Sequence, residues 1–252
     1  MRGLQGKVGI VAGGGRGIGA ATARRLAEEG VCVVIGDIAE EWAVKTAAEI
    51  SAAGGAAIGV QLDGTRADSQ AAIVAAALDK FGTLDFYHSN LAGGTEGDID
   101  ALNCTEEVLD RSFALNAKSH FLATQAALPV LIERGGGAMI YTSSGAAIAG
   151  NPFQVAYPMA KNAIHALVRH VARKYGKKGI RANGICPGLV LTEAVAQHLS
   201  EDYVQTSLKA LPHTRLGKPE DIAGAVAFLA SGDGEWVNGQ VWHVNGGSLQ
   251  RD

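Results

Sequence analysis

The sequence predicts an α/β fold, a doubly wound parallel sheet in a single domain covering residues 1–252. Two observations carry that prediction. Short apolar runs alternate with helix-period segments from one end of the chain to the other, the pattern of a parallel sheet covered on both faces. Glycine also makes up 34 of 252 residues, about 13% against a usual ~7%, and concentrates where apolar runs turn into helices. No linker, repeat or low-complexity stretch divides the chain, so one domain is the simplest organisation, with its site at the carboxyl ends of the strands.

Residues 8–12 are an apolar run that reads as the first buried strand. Gly13, Gly14, Gly15, Gly17 and Gly19 follow, with Arg16 and Ile18 among them, and then a helix-like segment with Ile18, Ala21 and Leu26 on one face. Glycines in a strand–turn–helix context permit positive φ and let backbone N–H groups approach a pyrophosphate, which a helix N-terminus also attracts. Residues 31–37 read as a second buried strand ending in Asp37, 24 positions after Gly13. That lies near the ~20-residue spacing of an acid that hydrogen-bonds a bound ribose, and together these features predict dinucleotide binding.

The alternation continues with a helix at 39–53, a strand at 56–61 closed by Asp63, a helix at 67–81 and a strand at 84–88 running into Ser89 and Asn90. One long helix is expected over 105–132, then a strand at 138–142, then the helix bearing Tyr157 and Lys161. Arg173, Lys174, Lys177 and Lys178 close that helix, where solvated cations suit the negative end of its dipole. A strand at 181–185 enters Cys186-Pro187-Gly188, a helix at 219–230 opens on Pro219, and a last strand at 240–244 precedes Asn245-Gly246-Gly247.

A net charge of −3 offers no electrostatic case for nucleic acid or an anionic membrane surface. No apolar run reaches bilayer length and the N-terminus lacks a charged segment followed by an apolar one, so a cytoplasmic protein is expected. Cys32, Cys104 and Cys186 are scattered, which argues against a disulfide framework and a structural zinc site. His88, His165, His198 and His213 show no ligand spacing, so no metal is predicted.

Tyr157 and Lys161 stand four positions apart, which on a helix places them on one face about 5–6 Å apart at Cβ. A phenol titrates near ~10, and a neighbouring cation lowers that value by favouring phenolate. A shift of about three units takes ~4 kcal/mol, more than one lysine commonly supplies, so a second positive source such as a nicotinamide ring is expected to contribute. Pro158 disfavours the α conformation for Tyr157 unless the pair lies in the first turn.

Taken together, these motifs resemble the short-chain dehydrogenase/reductase family in its single-domain, Rossmann-type form, from about residue 6 to residue 249. The family's TGxxxGIG is similar to Ala12–Gly19, its YxxxK to Tyr157 and Lys161, and its N-x-x-x-P-G to the segment 183–188 with Pro187 and Gly188, followed by Thr192. Its catalytic serine corresponds to Ser144, with Ser143 as the alternative, and its helix asparagine to Asn116. Where the family often reads NNAG this chain reads Ser89-Asn90-Leu91-Ala92-Gly93, so only Asn90 carries over there.

The resemblance implies hydride transfer between nicotinamide and a secondary alcohol or ketone. Tyr157 is the expected general acid–base, Lys161 the group that lowers its pKa and binds the nicotinamide ribose, Ser144 the donor to the substrate oxygen, and Asn116 the anchor of a water beside Lys161. Gly13, Arg16, Gly17, Ile18, Gly19, Asp37, Asp63, Asn90, Pro187, Gly188 and Thr192 are the expected cofactor contacts, together with Tyr157 and Lys161.

Asp37 favours NAD, because it would repel a 2′-phosphate, whereas Arg16 would pair with one; the carboxylate weighs more and NAD is preferred over NADP. Residues 189–216 read as an apolar lid, and Phe153 and Gln154 as further pocket residues beside Ser144 and Tyr157, for a small neutral or hydrophobic substrate. Glu96, Asp98 and Asp100 form either a negative cluster at a substrate entrance or a solvated loop. Two alternatives are an NADPH-dependent 3-oxoacyl thioester reductase and a non-catalytic dinucleotide sensor or scaffold. The family likeness also suggests a homotetramer with contact faces near 105–132 and 155–177.

Overall fold

In the computed structural model, residues 1–197 and 199–249 are described; His198 lies outside them. The N-terminal half is built from β1 (Val8–Ala12), α1 (Gly17–Glu28), β2 (Cys32–Asp37), α2 (Glu40–Ala52), β3 (Ala56–Gln61), α3 (Ala67–Phe81) and β4 (Phe86–Ser89). A long loop leads to α4 (Glu106–Phe113), a π-helical turn (Ala114–Lys118), α5 (Ser119–Glu133) and β5 (Gly137–Thr142). The rest comprises α6 (Ala146–Ala149), α7 (Ala156–Tyr175), β6 (Ile180–Pro187), α8 (Glu193–Ala196), α9 (Glu201–Ala210), α10 (Pro219–Ala230) and β7 (Val241–Val244).

The seven strands pair in parallel in the order β3-β2-β1-β4-β5-β6-β7, which is the doubly wound sheet expected. Alternate strand residues feed two cores. Val8, Ile10 and Ala12 pack towards α3, α5 and α7 through Ile73, Leu131 and Val168, whereas Val11, Val33 and Ile35 pack towards α1, α2 and α10 through Leu26, Ile50 and Val226. Each fully buried aliphatic side chain contributes about 1.5–3 kcal/mol of transfer free energy, enough to hold both helical layers on the sheet.

Strand order reverses between β1 and β4, and a crevice opens there at the carboxyl ends. Those ends carry Gly13 after β1, Asp37 closing β2, Asp63 after β3, Asn90 after β4, Ser143 and Ser144 after β5, and Pro187 closing β6. Topology thus collects residues that the sequence scatters over 175 positions between Gly13 and Gly188.

The expected helix over 105–132 departs from regularity at its centre. Asn116 lies in the π turn, fully buried, and its amide donates to Gly93 O (2.7 Å) and Ser112 O (3.0 Å) while its oxygen accepts from Gly93 N (3.2 Å). A wide turn of this kind re-aims one side chain within a helix, and π turns cluster at functional positions. The strand expected at 84–88 is Phe86–Ser89. Among the described residues no helix is long and apolar enough to cross a membrane.

Candidate active site

A cleft of about 510 Å³ runs along the crevice, with Asp37, Ile38 and Trp42 at one end and Ser144, Tyr157 and Lys161 among its walls. Gly13, Arg16, Gly17, Ile18, Asp63, Asn90, Pro187, Gly188 and Thr192 also line it, so this set of expected contacts converges. Gly13 adopts φ +72°, and a Cβ there would lie 2.8 Å from Asn90 O. Asn90 in turn donates through Nδ2 to Gly13 O (3.2 Å), tying the ends of β1 and β4 together. Gly19 does not line the cleft; a Cβ at that position would overlap the carbonyl oxygen of Gly13, so its role is the close approach of α1 to the turn.

Asp37 is buried, with Oδ2 accepting from Gly15 N (3.0 Å) and Oδ1 from Ala39 N (3.3 Å). A carboxylate offers about four lone-pair sites, so capacity remains for a ribose diol. The Arg16 guanidinium lies 4.0 Å over the Trp42 ring. That cation–π contact engages the cation which, by sequence alone, spoke for a 2′-phosphate. Trp42 and Ile38 were not singled out by sequence reasoning; the signal available was their position just after Asp37. Asp63 holds the turn after β3, its Oδ1 accepting from Thr65 N (2.9 Å) and Thr65 Oγ1 (2.7 Å).

At the other end α7 begins at Ala156, which puts Pro158 in the first turn, where a missing N–H costs nothing. Tyr157 and Lys161 share one face, with Lys161 Nζ 5.9 Å from the Tyr157 ring centroid. The Ser144 hydroxyl lines the same cleft as the phenol and acts to lower its pKa. Ser143 points elsewhere, donating to Lys161 O (3.0 Å) and lying 2.8 Å from His165 Nε2, so Ser144 is the serine that meets Tyr157.

The electrostatics correct a simple expectation. Burial pushes the Tyr157 phenol above its ordinary value, the Ser144 hydroxyl opposes this, and Cys186 adds to it. Lys161, 1% exposed, is lowered to about 7 because burial removes its hydration and, among the described residues, no carboxylate pairs with it. Its ammonium donates to Leu91 O (2.8 Å) and Thr142 O (3.0 Å) and lies 3.4 Å from His120 Nε2. Burial thus outweighs the groups that would lower the phenol, and Lys161 is not among those that shift it.

Two other expectations are revised. Phe153 and Gln154 do not line the cleft: Phe153 is 79% exposed, and Gln154 accepts from Asn151 Nδ2 (3.1 Å). Asn116 is buried and does not line the cleft; it is bonded to Gly93 and Ser112. Asp98 is no solvated loop acid: it is 6% exposed and accepts from the amides that open α7.

A sequence-family model described as enoyl-(acyl carrier protein) reductase matches residues 12–248. The 7α-hydroxysteroid dehydrogenase of Escherichia coli K12 is 36% identical over 247 residues, 98% of this chain and 96% of that protein. This chain belongs to the short-chain dehydrogenase/reductase family. A 2,5-dichloro-2,5-cyclohexadiene-1,4-diol dehydrogenase of Sphingobium indicum is likewise 36% identical, over 97% of this short-chain dehydrogenase/reductase and 96% of its own length. A solved 7α-hydroxysteroid dehydrogenase complexed with NADH and 7-oxo glycochenodeoxycholic acid superposes with a TM-score of 0.92 at 34% identity, covering 98% of this chain and 96% of that one.

Proposed function

We propose that this short-chain dehydrogenase/reductase is an NAD(H)-dependent enzyme that interconverts a secondary alcohol on a carbocyclic ring and its ketone, with Tyr157 as general acid–base. The observation that carries the reading is that Ser144, Tyr157, Lys161 and Asp37 line one cleft, with Tyr157 and Lys161 on one face of α7. When bound, nicotinamide supplies hydride acceptance or donation and, in its oxidised form, a positive ring. In the oxidation direction Tyr157 takes the substrate hydroxyl proton as hydride leaves the carbinol carbon, and in reduction it returns that proton to the new alkoxide. Ser144 holds the substrate oxygen and donates to the charge that develops there. Lys161, held by the Leu91 and Thr142 carbonyls on the phenol's side of α7, offers its amine to the nicotinamide ribose, and Asp37 selects an unphosphorylated ribose.

The substrate class rests on two supports. Leu189, Val190 and Val195 put apolar surface beside Tyr157 in the cleft, and the relatives named above act on alcohols borne on six-membered carbocycles. We assign residues 189–216 as a lid over that site: α9 buries none of its side chains, so little core packing opposes its opening. We also place the protein in the cytoplasm as a homotetramer, with half-exposed Phe121 on α5 and Met159 on α7 as interface residues. Size-exclusion chromatography giving a monomer would end the assembly proposal.

The deciding experiment follows NADH absorbance with 7-oxo glycochenodeoxycholic acid, cyclohexanone and a 3-oxoacyl thioester, each also with NADPH. Turnover of a cyclic ketone with NADH is expected, and Tyr157→Phe should cut it by roughly 10²–10⁴-fold. Preference for the thioester with NADPH would replace the reading, and full activity in Tyr157→Phe would remove Tyr157 from its role.

A further inference from the structure

The loop between β4 and α4 has no regular structure over residues 90–98 apart from a turn, yet it carries some of the best-satisfied polar atoms near the site. Asp98 Oδ1 accepts from Val155 N (3.0 Å) and Ala156 N (2.9 Å), and Oδ2 accepts from Tyr157 N (2.8 Å). The start of a helix exposes amides with no partner inside the helix, and these must be satisfied. In α7 the cap position is Val155, whose side chain has no oxygen, and the third helical residue is Pro158, which has no N–H. Met159 N then donates back to Val155 O (3.3 Å). One carboxylate 57 to 59 residues away in sequence therefore satisfies every donor that opens the helix.

A serine or aspartate at position 155 would have met the same need locally. The remote cap does something a local one would not, because it ties the backbone of Tyr157 to a loop that holds the other expected catalytic groups. Leu91 O receives Lys161 Nζ (2.8 Å), and Gly93 exchanges two hydrogen bonds with Asn116. Eight residues, 91–98, thus touch Tyr157, Lys161 and Asn116 together.

We propose that Asp98 is a positioning residue for the reaction, the far anchor of a brace over residues 91–98 that sets the Tyr157 backbone in register with Lys161 and Asn116. The inference rests on Tyr157 acting as the acid–base. Asp98 does not line the cofactor cleft, so its loss should spare nucleotide binding and reduce the hydride step.

The test measures single-turnover hydride transfer, with NADH and 7-oxo glycochenodeoxycholic acid or, if it turns over faster, cyclohexanone, in Asp98→Ala, Asp98→Asn and Val155→Asp, and in the double variant Asp98→Ala/Val155→Asp. NADH affinity by fluorescence and hydrogen exchange at amides 155–157 accompany it. In Asp98→Ala the hydride-transfer rate should fall about 10–100-fold, the scale of an ångström-sized misplacement, with NADH affinity within about twofold. Asp98→Asn should fall between that variant and the wild type. In the double variant a local cap replaces the remote one, so amide protection should recover while the rate stays low.

Should Asp98→Ala not fold, the double variant carries the measurement. A rate in the double variant close to that of Val155→Asp alone would show that Asp98 is only a helix cap and would overturn the inference. Turnover surviving in Tyr157→Phe would defeat the proposed function itself, whereas an inactive Tyr157→Phe beside fully active Asp98 variants would defeat the brace alone.

Discussion

Lys161 offers a direct test of how the site is tuned, because its burial implies a stability that rises with pH. The ammonium sits among two carbonyls and an imidazole with no carboxylate, and is lowered from 10.5 to about 7. The unfolded chain keeps its proton until about 10.5 and the folded one releases it near 7. Between those values the unfolded state therefore binds more protons, and stability rises with pH. Carried over the whole window the effect approaches about 5 kcal/mol at 1.36 kcal/mol per unit, and from pH 7 to pH 9 it amounts to about 2 kcal/mol. Replacing Lys161 with Met removes the titrating group while filling a similar volume. Urea unfolding of the cofactor-free protein at pH 7, 8 and 9, at one protein concentration, should show the wild type gaining those ~2 kcal/mol relative to Lys161→Met. The variant should also lose hydride transfer, since it no longer carries the amine proposed to hold the nicotinamide ribose beside Tyr157. Parallel stability curves for the two proteins would refute the reasoning, because they would mean that the lysine is solvated or paired in a way its carbonyl cage does not provide.

Two further outcomes follow from the other end of the cleft. Asp37→Ser should lower kcat/KM with NADH by about 10–100-fold, the worth of one or two charge-assisted hydrogen bonds, and move the NADH-to-NADPH ratio towards NADPH; steady-state kinetics with both cofactors checks this, and an unchanged ratio would count against Asp37 as the selector. Gly19→Ala drives a Cβ into the Gly13 carbonyl, so thermal and urea unfolding should show a loss of about 1–3 kcal/mol and NADH binding by fluorescence should weaken with it.

Much of the site is legible in the sequence because its signals are local. The glycine turn, Asp37 at the end of its strand and the four-residue step from Tyr157 to Lys161 each depend on backbone geometry within a few residues. The family likeness already set Ser144 ahead of Ser143, and the fold supplies the physical reason, since Ser143 turns inward to Lys161 O and His165. Phe153 and Gln154 were misplaced for the opposite reason: closeness to Tyr157 in sequence does not aim a side chain into the cleft, and the chain at 151–154 turns outward.

The sequence by itself determined the alternation of strands and helices, the single doubly wound sheet and the identity of the residues at its carboxyl ends, because hydrophobic period and turn chemistry are written in neighbouring residues. Only the tertiary structure decided that Asn116 would sit in a π turn facing Gly93, that Arg16 would lie on Trp42, and that Asp98 would cap α7. Each of these joins groups some 20 to 60 positions apart, where the partner is set by how whole layers pack and which buried donors still lack an acceptor, and no local pattern encodes that.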